Sequence, residues 1–146
     1  MTIAMPLLAP VDPAADAPPP SGHVPCEAED DVARHLLRPH FSANRETLLL
    51  AGFDPFERLV RLERVGGEDA GRCVIPPRCW RRLMGGGVVR FIMPHNQPSN
   101  IAQPSDADVA TTCETVLFLR TLGIELVDHL IFVASGHFSF RSAEML

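Results

Sequence analysis

This sequence contains no lysine: all 13 of its basic residues are arginine. We read this usage as coding bias, although arginine's planar fork also suits bidentate contacts to anions. Positive charge is not in excess either. The formal net charge is −5 and the isoelectric point about 5.6, which argues against a sequence-independent grip on nucleic acid, because that needs a basic face. No two of the four cysteines, Cys26, Cys73, Cys79 and Cys113, stand at C-x-x-C spacing, which argues against a zinc finger or a thioredoxin-like motif. Scattered cysteines in a chain without an export signal read as reduced thiols. No basic residue precedes Arg34, so the charged start of a signal peptide is missing, and no apolar run approaches the length of a membrane span. The expectation is a cytoplasmic protein with no membrane segment and no nucleic-acid partner.

What remains is an ordinary globular composition, 46% hydrophobic and 21% charged, in 146 residues, enough for one domain. Proline is unevenly spread. Many of the 14 prolines fall before Cys26, and the run Ala17-Pro18-Pro19-Pro20-Ser21-Gly22 suits neither helix interior nor central strand. Residues 1–25 are therefore expected to be a disordered Pro/Ala-rich tail, and residues 26–146 a single domain.

Local pattern then sets the order of elements. Residues 27–41 read as an amphipathic helix, with Val32, half-buried His35 and Leu36 at helical spacing, acidic residues at its start and Pro39 at its end. The apolar run 46–53 reads as a buried strand, paired across the turn Asp54-Pro55-Phe56-Glu57 with a more exposed strand over 58–65. A loop follows over 66–71. Pro76 and Pro77 open a helix that stops at Gly85-Gly86-Gly87. Residues 88–93 form a strand that runs into a loop bearing His95 and Gln97. Ser105 and Asp108 cap the start of a helix to Leu122, with Val109, Cys113, Val116 and Leu117 as its buried stripe. Two strands, over 124–134 and 137–141, close the chain. This is an α/β fold: a sandwich in which helices flank a mixed sheet.

One stretch carries candidate chemistry. His95 and Gln97 are two apart, and in extended chain such residues point the same way. Asp108, in the first turn of the next helix, offers a carboxylate nearby. Three protein ligands with a fourth position left for water is the pattern of a catalytic zinc site. Glu46, at the mouth of the first long strand, is the candidate general base. Gln97 is the anomaly, because a neutral amide oxygen is a weak zinc ligand beside an imidazole. If it fails to bind, His129 and His137 are the later histidines that could be recruited. The bland alternatives are a helix cap for Ser105 and Asp108, a surface charge for Glu46, and a buried polar pair for Asp128-His129.

The motifs resemble those of the JAB/MPN metalloprotease family, in particular the RadC-like branch. Its signature H-N-H-P-S-G followed by P-S-x-x-D is matched here by His95-Asn96-Gln97-Pro98-Ser99-Asn100 and Pro104-Ser105-Asp106-Ala107-Asp108. Its G-I-x-L-x-D-H-L-I segment is matched from Gly123 to Ile131, and Ser139-Phe140-Arg141 is similar to its ending. Gly67 and Pro76 fit its glycine-to-proline spacing. The resemblance implies a JAB/MPN-like α/β sandwich and a zinc-dependent hydrolase acting on peptide or isopeptide bonds of a peptide or protein substrate. It implies zinc ligands at His95, position 97 and Asp108, a general base at Glu46 and oxyanion stabilisation by Ser105. The chain departs from the pattern at Gln97, where the family has histidine, and at Asn100, where it has glycine. It also shows no counterpart to the helix-hairpin-helix region of longer members. The alternative expectation is a JAB-fold interaction module without catalysis, associated with DNA repair.

Overall fold

In a computed structural model that describes residues 21–65 and 75–146, the chain forms one six-stranded mixed sheet. The strands are β1 (His23–Pro25), β2 (Leu48–Phe53), β3 (Leu59–Val65), β4 (Arg90–Asn96), β5 (Glu125–Val133) and β6 (Gly136–Ser139). Their spatial order is β1-β6-β5-β4-β2-β3. Only β4 and β5 are parallel, and helix α2 (Asp106–Thr121) makes the crossover between them. Helix α1 (Pro77–Leu83) follows the β2–β3 hairpin. The expected α/β sandwich on a mixed sheet is what forms. Residues 1–20 of the tail expected over 1–25, and the loop expected over 66–71 with Gly67, lie outside the described residues.

Alternation along the strands divides the core between the two faces. Leu48, Leu50, Phe91, Met93 and Leu126 pack with Leu83 of α1 and Leu119 of α2 on one face. Ala51, Phe53, Leu130 and Phe132 pack with Ala33 and Leu37 on the other. The hydrophobic stripe that each element buries thus finds a partner layer on its own side of the sheet.

Four local expectations are corrected. Residues 23–25, expected to close the tail, instead form β1 and pair antiparallel with β6. A Cβ at Gly136 would lie 2.0 Å from the Val24 carbonyl oxygen, so this close approach depends on glycine. The single helix over 27–41 is broken into a 3₁₀ turn at Cys26–Ala28, a π-helical segment Val32–Leu37 and a 3₁₀ turn at Arg38–His40. Asp30 caps the second piece by accepting from Ala33 N at 2.8 Å, and Glu29 turns inward to Arg38. His35 is consequently exposed, and Ala33 and Leu37 face the core.

The strand expected to end at Met93 continues to Asn96, so His95 lies on a strand and not in a loop. Pro94 is tolerated inside it because the antiparallel register with β2 pairs Ile92 and His95 but skips Met93 and Pro94, while pairing to β5 runs through. Helix α2 keeps half of the expected stripe, Val109 and Val116, which pack half-buried against the core. Thr111, Thr112, Thr115 and Leu119 are buried, whereas Cys113 and Leu117 are exposed. The threonines can face the sheet because their hydroxyls are satisfied locally: Thr112 donates to Asp108 O and Thr115 to Thr111 O, both at 2.8 Å.

Candidate metal centre

The site begins with three positions set by backbone pattern. His95 lies near the end of β4 with its ring on the α2 face, next in alternation after Phe91 and Met93. Asp108 occupies the first turn of α2. Here the cap does more than start the helix. Ser105 Oγ accepts from Asp108 N at 3.1 Å, and Asp108 Oδ2 accepts from Ser105 N at 2.8 Å. That reciprocal pair fixes the carboxylate and leaves its other oxygen, Oδ1, 3.7 Å from His95 Nδ1. The capping reading and the ligand reading of these residues are therefore compatible, because the cap aims the carboxylate.

The third position is His129, which arrives through a fault in the sheet. Between Phe91/Leu126 and Ile92/Asp128 the β4–β5 register shifts by one residue, with Val127 as the extra one. Without that bulge, strict alternation from Leu126 would put Asp128 on the α2 face. With it, His129 takes that face opposite Met93, diagonal to His95, and the two rings lie 5.9 Å apart. Asp128 points to the other side, where it accepts from Ser139 Oγ and Arg141 N. Its burial raises its pKa against those hydrogen bonds. Among the described residues, one ligand atom from each of His95, Asp108 and His129 lies within 4.8 Å of the other two.

Hydrogen bonding sets the tautomers. Glu46 Oε1 is 2.8 Å from His95 Nε2, and a carboxylate accepts, so Nε2 carries the proton and Nδ1 presents a lone pair. Thr112 Oγ1 gives its one proton to Asp108 O. Towards His129 Nδ1, 2.6 Å away, it can then only accept, which leaves Nε2 as the lone-pair nitrogen. His95 Nδ1 and His129 Nε2 are both buried and, among the described residues, both without a hydrogen-bond partner. Burial, reinforced by nearby His95 and opposed by Asp108, lowers the pKa of His129 to about 3, so its ring is neutral. Two bare imidazole nitrogens and a carboxylate oxygen are a donor set that zinc takes. Donors at a tetrahedral zinc stand about 3.3 Å apart, given bonds of about 2.0–2.1 Å, and His95 Nδ1 and Asp108 Oδ1, 3.7 Å apart, stand near that spacing.

Glu46 precedes β2, and its side chain is 63% exposed. Its segment is held by a residue that sequence reasoning passed over. Buried Asn96 donates to Ser42 O at 2.8 Å and Arg45 O at 2.7 Å, and accepts from Thr47 N at 2.7 Å. Gln97 follows the end of β4; its N–H donates to Phe132 O at 2.9 Å and the residue is half-buried. Asn100 has φ 61°, a left-handed conformation that asparagine tolerates better than other non-glycine residues, and its Oδ1 accepts from Ala134 N. The departure from glycine at this position is thus accommodated by the backbone. His137 is not in the cluster, because its Nδ1 is 2.6 Å from Glu29 Oε2.

The model of the RadC-like JAB domain matches residues 26–145. The chain belongs to the RadC-like JAB domain family. A UPF0758 protein of Burkholderia mallei is 34% identical over 119 residues, 80% of this chain and 41% of that protein. One from Trichormus variabilis is 31% identical over 104 residues, 70% of this chain and 43% of its own length. One from Alteromonas mediterranea is 25% identical over 118 residues, covering 80% and 52%. This RadC-like chain therefore spans about half or less of the length of the curated relatives it matches. A cavity of about 730 Å³ opens on the opposite face of its sheet, lined by Ala33, Ile92, Asp128 and Arg141 among others, and so does not serve the histidine cluster. None of its described helices is long and apolar enough to cross a membrane.

Proposed function

We propose that this RadC-like JAB domain is a zinc-dependent hydrolase of peptide or isopeptide bonds in a peptide or protein substrate, working in the cytoplasm. The observation that carries this reading is the convergence of His95, Asp108 and His129 beside the exposed carboxylate of Glu46, 2.8 Å from His95. His95 and Asp108 would hold the ion, with a third donor from Gln97 or His129. Zinc at such donors supplies a Lewis acid and a water acidic enough to act as a nucleophile near neutral pH.

The chain's own residues divide the remaining work. Glu46 takes the proton of the attacking water at its carboxylate and returns it to the leaving amine nitrogen. Its exposure lets it meet both the water and the substrate. Ser105 Oγ accepts from Asp108 N and keeps its own proton, which it donates to the carbonyl oxygen as negative charge develops there. Asn96 keeps the Glu46 segment in place through its three hydrogen bonds. The test is cleavage of a peptide and isopeptide library by the zinc-loaded chain. Turnover that stops on chelation, and that Glu46→Gln reduces at least about 100-fold, supports the reading. Zinc-loaded protein with no turnover on any library member contradicts it.

A further inference from the structure

The proposed hydrolase reading leaves the third protein donor open, and this inference rests on that reading. We infer that His129 Nε2, and not Gln97, is the third metal ligand of this chain, held ready by Thr112. The bulge at Val127 turns the imidazole to the α2 face, where its atoms fall within 4.8 Å of ligand atoms of His95 and Asp108. The ring is fully enclosed and stacks on Phe140, with centroids 4.5 Å apart and planes 5° from parallel. It therefore has no solvent to satisfy Nε2, and no atom of the described residues does so. A buried polar atom without a partner is costly, and an ion between these donors removes the cost at both His129 and His95.

Thr112 makes the arrangement specific. Its hydroxyl links Asp108's backbone carbonyl to His129 Nδ1, so the helix that carries one ligand also sets the tautomer of another. Partners of this kind orient ligating histidines in metal sites, and removing one typically costs about 10–100-fold in affinity. Gln97, one residue beyond β4, offers only a neutral amide oxygen, which zinc takes weakly beside imidazole.

The experiment titrates the chelator-stripped full chain with Zn²⁺ alone and follows the ring nitrogens of ¹⁵N-labelled histidine by NMR. The expected result is saturation at one ion per chain, with His95 and His129 resonances shifting and those of His137 unmoved. Gln97→Ala should keep the affinity within about threefold. Thr112→Val should lose about 10–100-fold, and His129→Gln at least as much. The resonances of the natural chain need no variant to fold, so the assignment stands or falls without the buried substitution. If zinc binds while the His129 resonances stay unchanged and Gln97→Ala loses affinity, the inference is overturned and the hydrolase reading survives with Gln97 as ligand. If the natural chain binds no zinc, both are overturned.

Discussion

Two buried histidines on neighbouring strands receive opposite treatment. His137 on β6 is enclosed on one face of the sheet: Nδ1 meets Glu29 Oε2 at 2.6 Å, and Glu29 is itself gripped by Arg38 through two hydrogen bonds. Arg38 in turn donates to the carbonyls of Val133 and Gly136, tying the broken N-terminal helix to the β5–β6 turn. His129 on β5 is as deeply enclosed on the other face, yet its Nε2 has no hydrogen-bond partner among the described residues. Burial raises the cost of every unmet polar group. Neither ring nitrogen of His137 is both buried and unpaired among the described residues, which is what a structural histidine looks like here. By that standard His129 is incomplete, and so is His95 at Nδ1, and the two incomplete atoms face the same carboxylate.

The largest expected effect falls on the satisfied side of this comparison. Glu29→Ala removes the carboxylate between a guanidinium and a buried imidazole, and is expected to cost about 3–5 kcal/mol of stability in denaturant titration, as breaking a buried ion pair does. A loss below about 1 kcal/mol would mean that His137 is not held by this pair and that the contrast is false. Asn96→Ala is next. It deletes three hydrogen bonds made by a buried side chain and should cost about 2–4 kcal/mol. Hydrogen exchange should show the 42–47 segment opening while β5 and β6 stay protected; equal loosening of all three would separate Asn96 from the positioning of Glu46.

Acid sharpens the contrast with a smaller effect. His129 has its pKa depressed from 6.5 to about 3. The unfolded chain therefore binds the extra proton first, and stability falls as pH drops from 6.5 towards 3, by at most about 1.4 kcal/mol per pH unit. For Glu29, burial pushes its pKa up, but the hydrogen bonds and charges of Arg38 and His137 hold it below its usual 4.5. Its contribution is present above pH 4.5 and is lost only below that. In metal-free protein, His129→Gln is expected to flatten the decline between pH 6.5 and 4.5 and leave the steeper loss below 4.5 in place. An unchanged slope in that upper window would show that His129 does not stay neutral in the fold.

These two regions also show where sequence reading reaches and where it stops. The sheet-and-helix order follows from local signals: apolar runs, proline and glycine punctuation, and the Ser105–Asp108 cap. His95 and Asp108 were legible because each sits at an element end whose spacing is fixed by the chain itself. His129 was visible as a residue but not as a neighbour, because a single bulge at Val127 decides which face it takes. No periodicity announces such a bulge. The same limit explains the helix expected over 27–41. Its interruption comes from Glu29 being drawn inward by Arg38 and His137, the latter 108 residues away, and local propensity cannot see that attraction. In α2, apolar type points to Val109, Cys113, Val116 and Leu117; Val109 and Val116 do pack on the core, but Thr112 and Thr115 take buried places because their hydroxyls find carbonyls one turn back. Asn96 was legible only as the middle letter of a motif; its role appears once β4 is seen to run beside the Glu46 segment.

If His95, Asp108 and His129 form a working metal centre despite glutamine at position 97, the natural chain holds zinc. The most direct test is the zinc content of the natural, untagged chain after dialysis against excess Zn²⁺ and removal of loose ions, measured by elemental analysis. About one zinc per chain is expected, retained in Gln97→Ala and lost in Asp108→Asn. No zinc in the natural chain, or retention that does not depend on Asp108, would contradict this assignment.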